Sequence, residues 1–125
     1  MIKFFRCVGL FLLAMVLPAT ASASSAIEGV WQHSEKPAWL KIQFEKGEGV
    51  ASVYRHDNNQ HAKGLIVLKN IAAQSNSTTQ WRGKMYAAHL NGFIDANLVL
   101  IEPNQLEITM INGSDIEILQ LIREK

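Results

Sequence analysis

The sequence predicts an all-β domain, an antiparallel up-and-down barrel or a sandwich of about eight short strands. Three observations predict it. Apolar and polar residues alternate with a period of two in several segments. Turn residues separate those segments at short spacing. No segment carries a convincing amphipathic helical stripe, with residues 87–90 the most ambiguous.

The first 23 residues stand apart from that pattern. Lys3 and Arg6 make a basic start, residues 8–17 are apolar, Pro18 ends the run, and Ala19-Thr20-Ala21 and Ala21-Ser22-Ala23 follow as small-residue sites. Together these features read as a cleaved secretory signal peptide. The apolar run is shorter than the roughly 18 residues a spanning helix needs. The expected domains are therefore a signal at 1–23 and a single β-barrel domain at 24–125, placed in the periplasm or secreted. Cys7 precedes the apolar run, whereas a lipidated cysteine would follow it. It is the chain's one cysteine. A mature chain without it has no disulfides, so packing and strand pairing must hold the domain together.

Removing 23 of 125 residues leaves 102, enough for one core with little to spare. Removing Lys3 and Arg6 leaves ten basic against 11 acidic residues, a net charge of −1. Lys and Arg are scattered among Asp and Glu. Nucleic-acid binding, which needs a clustered positive face, is not expected. The 48% hydrophobic content is raised by the first segment, and no second apolar run is long enough to span a bilayer.

The first strand is expected over 27–33. Residues 39–45 alternate cleanly, with Leu40, Ile42 and Phe44 on one face and Trp39, Lys41, Gln43 and Glu45 on the other. The pattern does not say which face is interior. Lys46-Gly47-Glu48-Gly49 reverses the chain into an antiparallel strand over 50–55. Residues 56–63 form a polar loop around Asp57-Asn58-Asn59. A strand follows over 64–71, a polar loop or frayed edge over 72–79, and a strand over 80–86. Asn91-Gly92 turns the chain into a strand over 93–101. Pro103 and Asn104 make the next turn. Leu106, Ile108 and Met110 alternate with Glu107 and Thr109, and Asn112-Gly113-Ser114-Asp115 is the clearest hairpin signal. The last strand, 116–123, has apolar residues on both faces and is expected to be covered on both sides.

Several short motifs resemble, in order, a family of small secreted bacterial proteins known as domain of unknown function 2147. They are Ile27-Glu28-Gly29-Val30-Trp31, Glu35-Lys36 with Ala38 and Ile42, Gly64-Leu65-Ile66-Val67-Leu68, Trp81-Arg82-Gly83-Lys84-Met85-Tyr86, and Leu106 followed by Ile111-Asn112-Gly113. The resemblance implies a small antiparallel eight-stranded lipocalin-like barrel, of calycin type, and no common activity. This chain has a shorter segment before the Gly-Leu strand than the family, and an aliphatic rather than aromatic last strand. Gly29-Val30-Trp31 also matches the G-x-W pattern that opens lipocalins. There the tryptophan closes one end of the barrel under a basic residue from the last strand. Arg123 is placed by sequence for that role, and an arginine over an indole face gains roughly 0.5–2 kcal/mol.

The chemistry-bearing residues are sparse. His56, Asp57 and His61 share one loop and are types that bind zinc or copper, but their spacing matches no metal motif, and a solvated turn is the expectation. His33 and His89 stand alone and read as surface or rim residues. No G-x-S-x-G elbow is present. The serines lie mainly in loops, and carboxylate pairs such as Glu45 with Glu48 and Asp115 with Glu117 flank turns. Two Asn-x-Ser/Thr matches, at Asn76 and Asn112, read as chance, because the resemblance is to bacterial proteins. No enzyme activity, metal or cofactor is expected.

The aromatic set is the functional lead. Trp39, Phe44, Tyr54, Trp81, Tyr86 and Phe93 fall on different strands, and a barrel could gather some of them inside as the lining of an apolar pocket. Filling a solid core is the competing use, because an eight-stranded barrel holds its own side chains or one small ligand. The sequence thus predicts an exported, non-catalytic binding protein for a small hydrophobic or amphipathic ligand. The alternative is an envelope protein–protein interaction module with a solid barrel, meeting its partner at an exposed face or open edge strand.

Overall fold

The computed structural model describes residues 26–75 and 77–124. The expected signal segment and its cleavage sites lie outside the described residues. Eight strands follow one another: β1 (Gly29–His33), β2 (Ala38–Glu45), β3 (Glu48–His56), β4 (Ile66–Ala73), β5 (Gln80–Ala87), β6 (Gly92–Glu102), β7 (Gln105–Asn112) and β8 (Asp115–Arg123). Each pairs antiparallel with the next, and β8 pairs with β1, so the sheet closes into a barrel in sequence order. Among the described residues no helix is long and apolar enough to cross a membrane. Residues 88–90, ambiguous in sequence, form a short 3-10 turn.

The alternation read in β2 is realised, and the face with Leu40 and Ile42 is interior. Trp31, Leu68, Trp81, Leu98, Leu106, Ile108 and Leu121 also lose all contact with solvent. Burying one such side chain contributes about 1.5–3 kcal/mol. The strands close tightly where their inward residues are small. Gly49 is the clearest case. A Cβ there would stand 2.8 Å from the Phe44 ring and 2.9 Å from Ile71 Cβ, so a bare backbone is what lets β2, β3 and β4 meet.

Three expectations are corrected. The fourth strand begins at Ile66, because Gly64 takes a φ of +91° in the turn that closes the 57–65 connection, although its N–H already reaches across to Val53 O on β3. Ala72 and Ala73 belong to β4 and are not a loop. Asn70, at φ +56°, sits where the register with β5 shifts between Lys69 and Ala72, and this bulge breaks the period of two. Finally, β8 is not covered on both sides: Ile116, Ile118 and Ile122 face outward and are exposed.

Up-and-down order puts alternate connections at the same end. The N-terminal segment, the 46–47, 74–79 and 103–104 connections and Arg123 lie at one end. The 34–37, 57–65, 88–91 and 113–114 connections lie at the other, the mouth. From the 57–65 connection, Ala62 is buried and joins the core.

Candidate functional site

One end of the barrel is sealed. Arg123 stacks over the Trp31 ring at 4.3 Å from its centroid. Its guanidinium donates to three backbone carbonyls: Nη1 to Glu28 at 3.0 Å, Nη2 to Ala26 at 2.6 Å and Nε to Pro103 at 3.1 Å. Trp31 Nε1 donates to Ile27 O at 3.0 Å. The contact expected between Trp31 and Arg123 is present, and it ties the first strand, the last strand and the 103–104 turn together. Gly29 has φ +129°, and a Cβ there would lie 3.4 Å from Arg123 Nη1, so both its conformation and its bareness serve the plug.

The six aromatics do not converge. Trp81 is fully buried in the core, and its Nε1 has no hydrogen-bond partner among the described residues. Phe44 packs on the core from the sealed end. Trp39 lies on the outer wall, with Arg55 over its ring at 4.4 Å and its Nε1 donating to Glu124. Tyr54 is 48% exposed. Tyr86 and Phe93 meet edge to face at 5.6 Å on the outside, with Lys69 4.2 Å from the Phe93 centroid. Their strands all run the same barrel, but their positions put them on opposite faces and at different ends.

The mouth offers a different constellation. A cavity of about 290 Å³ opens there, lined by Met85, Ala87, Ile94, Met110 and Leu119, with Tyr86 and Ala88 beside them. His33, Lys36, His89 and Glu117 surround it. The floor follows from pairing. Met85 is opposite Ile94 across β5 and β6, and Met110 is opposite Glu117 across β7 and β8, all on inward-facing positions. An adjoining cavity of about 240 Å³ shares His89, Ile94, Met110 and Glu117 and extends to Asp115. The arrangement is an apolar floor under a titratable rim. Methionine thioethers suit such a floor because they adapt to the shape of what rests on them.

The rim has its own electrostatics. His33 Nδ1 accepts a hydrogen bond from the Glu35 backbone N–H at 2.9 Å, which requires an unprotonated nitrogen there. Burial first, then the charge of Lys36, lower the His33 pKa below its ordinary value, against the opposing pull of Glu35. Where β3 ends and the 57–65 connection begins, His56 Nδ1 accepts from Asn58 N–H, and Asp57 is paired with Arg55 at 2.7 Å. Among the described residues no three His, Cys, Asp or Glu side chains come together around a common point.

A depression of about 400 Å³ on the outer wall is lined by Ala72, Ala96 and Ile111 together with Asn70, Arg82, Lys84, Asp95 and Asn97. Lys84 and Asp95 pair across it at 2.5 Å in solvent, so its charged groups already answer one another.

His33 and His89, which the sequence leaves as either surface or rim residues, stand at the rim, and the sequence reading does not single out the methionines. The signal was available in the alternation of β5 and β7, whose inward positions carry Met85 and Met110 near the ends of their strands.

No family model matches the chain, and no curated protein matches it. A solved structure of a redesigned β-barrel is similar in fold: TM-score 0.53 at 13% identity, over 84% of this chain and 99% of that one. At that identity the likeness speaks to the barrel alone.

Proposed function

We propose that this chain is an exported, non-catalytic binding protein that takes a small amphipathic molecule at the mouth of its barrel. The carrying observation is the 290 Å³ cavity, with its floor of Met85, Ile94, Met110 and Leu119 and its rim of His33, Lys36, His89 and Glu117. An apolar moiety rests on the floor, and a polar group meets the rim. The volume is at the small end of ligand sites, about 300–1,000 Å³, which favours a short or compact ligand. The sealed end leaves the mouth as the route of entry. The signal-like residues 1–23 and the resemblance to the secreted family of unknown function 2147 support the export part of this reading.

Native mass spectrometry on protein purified gently from the periplasm or medium tests it. The expected result is an added mass that leaves on denaturation and is absent from the Met110→Trp variant, whose indole fills the floor. Bare protein, or an added mass retained by Met110→Trp, contradicts the assignment.

A further inference from the structure

We infer that the open side of β8 over residues 116–120 is a docking edge for an extended polypeptide whose side chains alternate basic and apolar. β8 pairs with β7 from Asp115 to Ile122, but with β1 only at Leu121, Ile122 and Arg123. Two further bonds fix the orientation of its backbone: Ser34 N–H donates to Gln120 O, and Glu124 N–H donates to Val30 O. Antiparallel strands alternate the side to which their N–H and C=O groups point, so the even residues of β8 face β1. The N–H of Gln120 and both backbone groups of Ile118 and Ile116 therefore face a side where, among the described residues, no strand pairs. The chain has left that side by then, reversing through the Ala38 N–H to Lys36 O bond into β2.

The side chains of this edge are sorted by face. Outward, Ile116 and Ile118 are 64% and 57% exposed. Inward, Asp115 and Glu117 border the mouth cavities, and neither forms an ion pair among the described residues, although Lys36 lines the same cavity as Glu117. A strand added here satisfies the free backbone groups, lays its apolar side chains on the isoleucines and turns its basic ones toward Glu117 and Asp115.

A second copy of the chain fits less well. Ser34 occupies the side of Gln120, so an antiparallel self-pairing must be centred on Glu117 or nearer the hairpin. Centring on Glu117 sets it opposite its own copy, and centring on Ile116 sets Asp115 opposite Glu117. Like charges directly opposite one another destabilise the pairing.

The test titrates ¹⁵N-labelled protein with three octapeptides: alternating Lys and Val, alternating Glu and Val, and the Lys–Val sequence with a central proline. The Lys–Val peptide is expected to slow exchange of the Ile116, Ile118 and Gln120 amides by about tenfold or more, equivalent to about 1.4 kcal/mol. The other two should leave them unchanged. Ile118→Lys, at an exposed position that keeps the β7 ladder, should abolish the protection. Glu117→Lys should transfer it to the Glu–Val peptide. No protection at millimolar peptide, protection indifferent to Glu117→Lys, or protection that rises with protein concentration without peptide each overturns the proposal.

Discussion

Arg123 shows how one side chain can close a barrel. Its stack on Trp31 is worth about 0.5–2 kcal/mol, and hydrogen bonds from a charged donor about 1.5–3 kcal/mol. These overlap, so Arg123→Ala is expected to lower unfolding free energy by about 2–4 kcal/mol in urea titrations. Arg123→Lys should recover only a minor part, because an ammonium cannot reproduce the planar fork. A loss below about 0.5 kcal/mol for the alanine variant would remove the plug from the account. The two buried tryptophans make a paired comparison. Trp31 Nε1 is bonded and Trp81 Nε1 is not, so Trp31→Phe should be costlier than Trp81→Phe by about 1 kcal/mol. His33 gives a pH signature. Its pKa is lowered on folding, so the unfolded chain binds the proton more readily. Its contribution is nil well above the ordinary imidazole value of about 6.5, and stability falls as pH drops through that value toward the lowered one. Urea midpoints compared at about pH 7.5 and about pH 5 should show a smaller acid loss in His33→Gln than in the parent.

At the scale of elements, Gly49→Ala probes the tightest strand approach. Its new methyl meets the Phe44 ring and Ile71 inside 3 Å, and the expected loss is about 1–3 kcal/mol in the same titrations. An unchanged midpoint would mean that β2, β3 and β4 do not meet as described. Most strands were legible because turn chemistry and alternation agreed. Lys46 and Gly47 both take positive φ, as a type I′ hairpin turn requires, and Asn91 at φ +52° turns the chain before β6. The misreadings have identifiable causes. The bulge at Asn70 interrupts the alternation on which strand reading depends, so Ala72 and Ala73 read as loop. In β8, apolar residues at successive positions read as burial on both faces. Alternation cannot distinguish an outward isoleucine covered by a neighbour from one left open.

The whole molecule explains which parts of the site the sequence concealed. Closure in sequence order gathers His33, His56, His61 and His89 at one end, although they span 57 positions along the chain. The topology made that grouping derivable once a barrel was assumed. Residue type alone gives neither face nor height for the aromatics: Trp81 fills the core, Trp39 and Tyr54 lie outside, and Tyr86 borders the mouth. The recognition proposed at the mouth rests instead on the two methionines beyond residue 23, Met85 and Met110, both of which line the cavity. Their methyl groups are therefore the most direct reporters of a ligand at the mouth. In a ¹³C-methyl methionine spectrum titrated with short-chain fatty acids and alkylammonium ions, both methyl resonances are predicted to shift together and saturably with at least one series. Methyls that stay fixed throughout both titrations would contradict a binding site at the mouth.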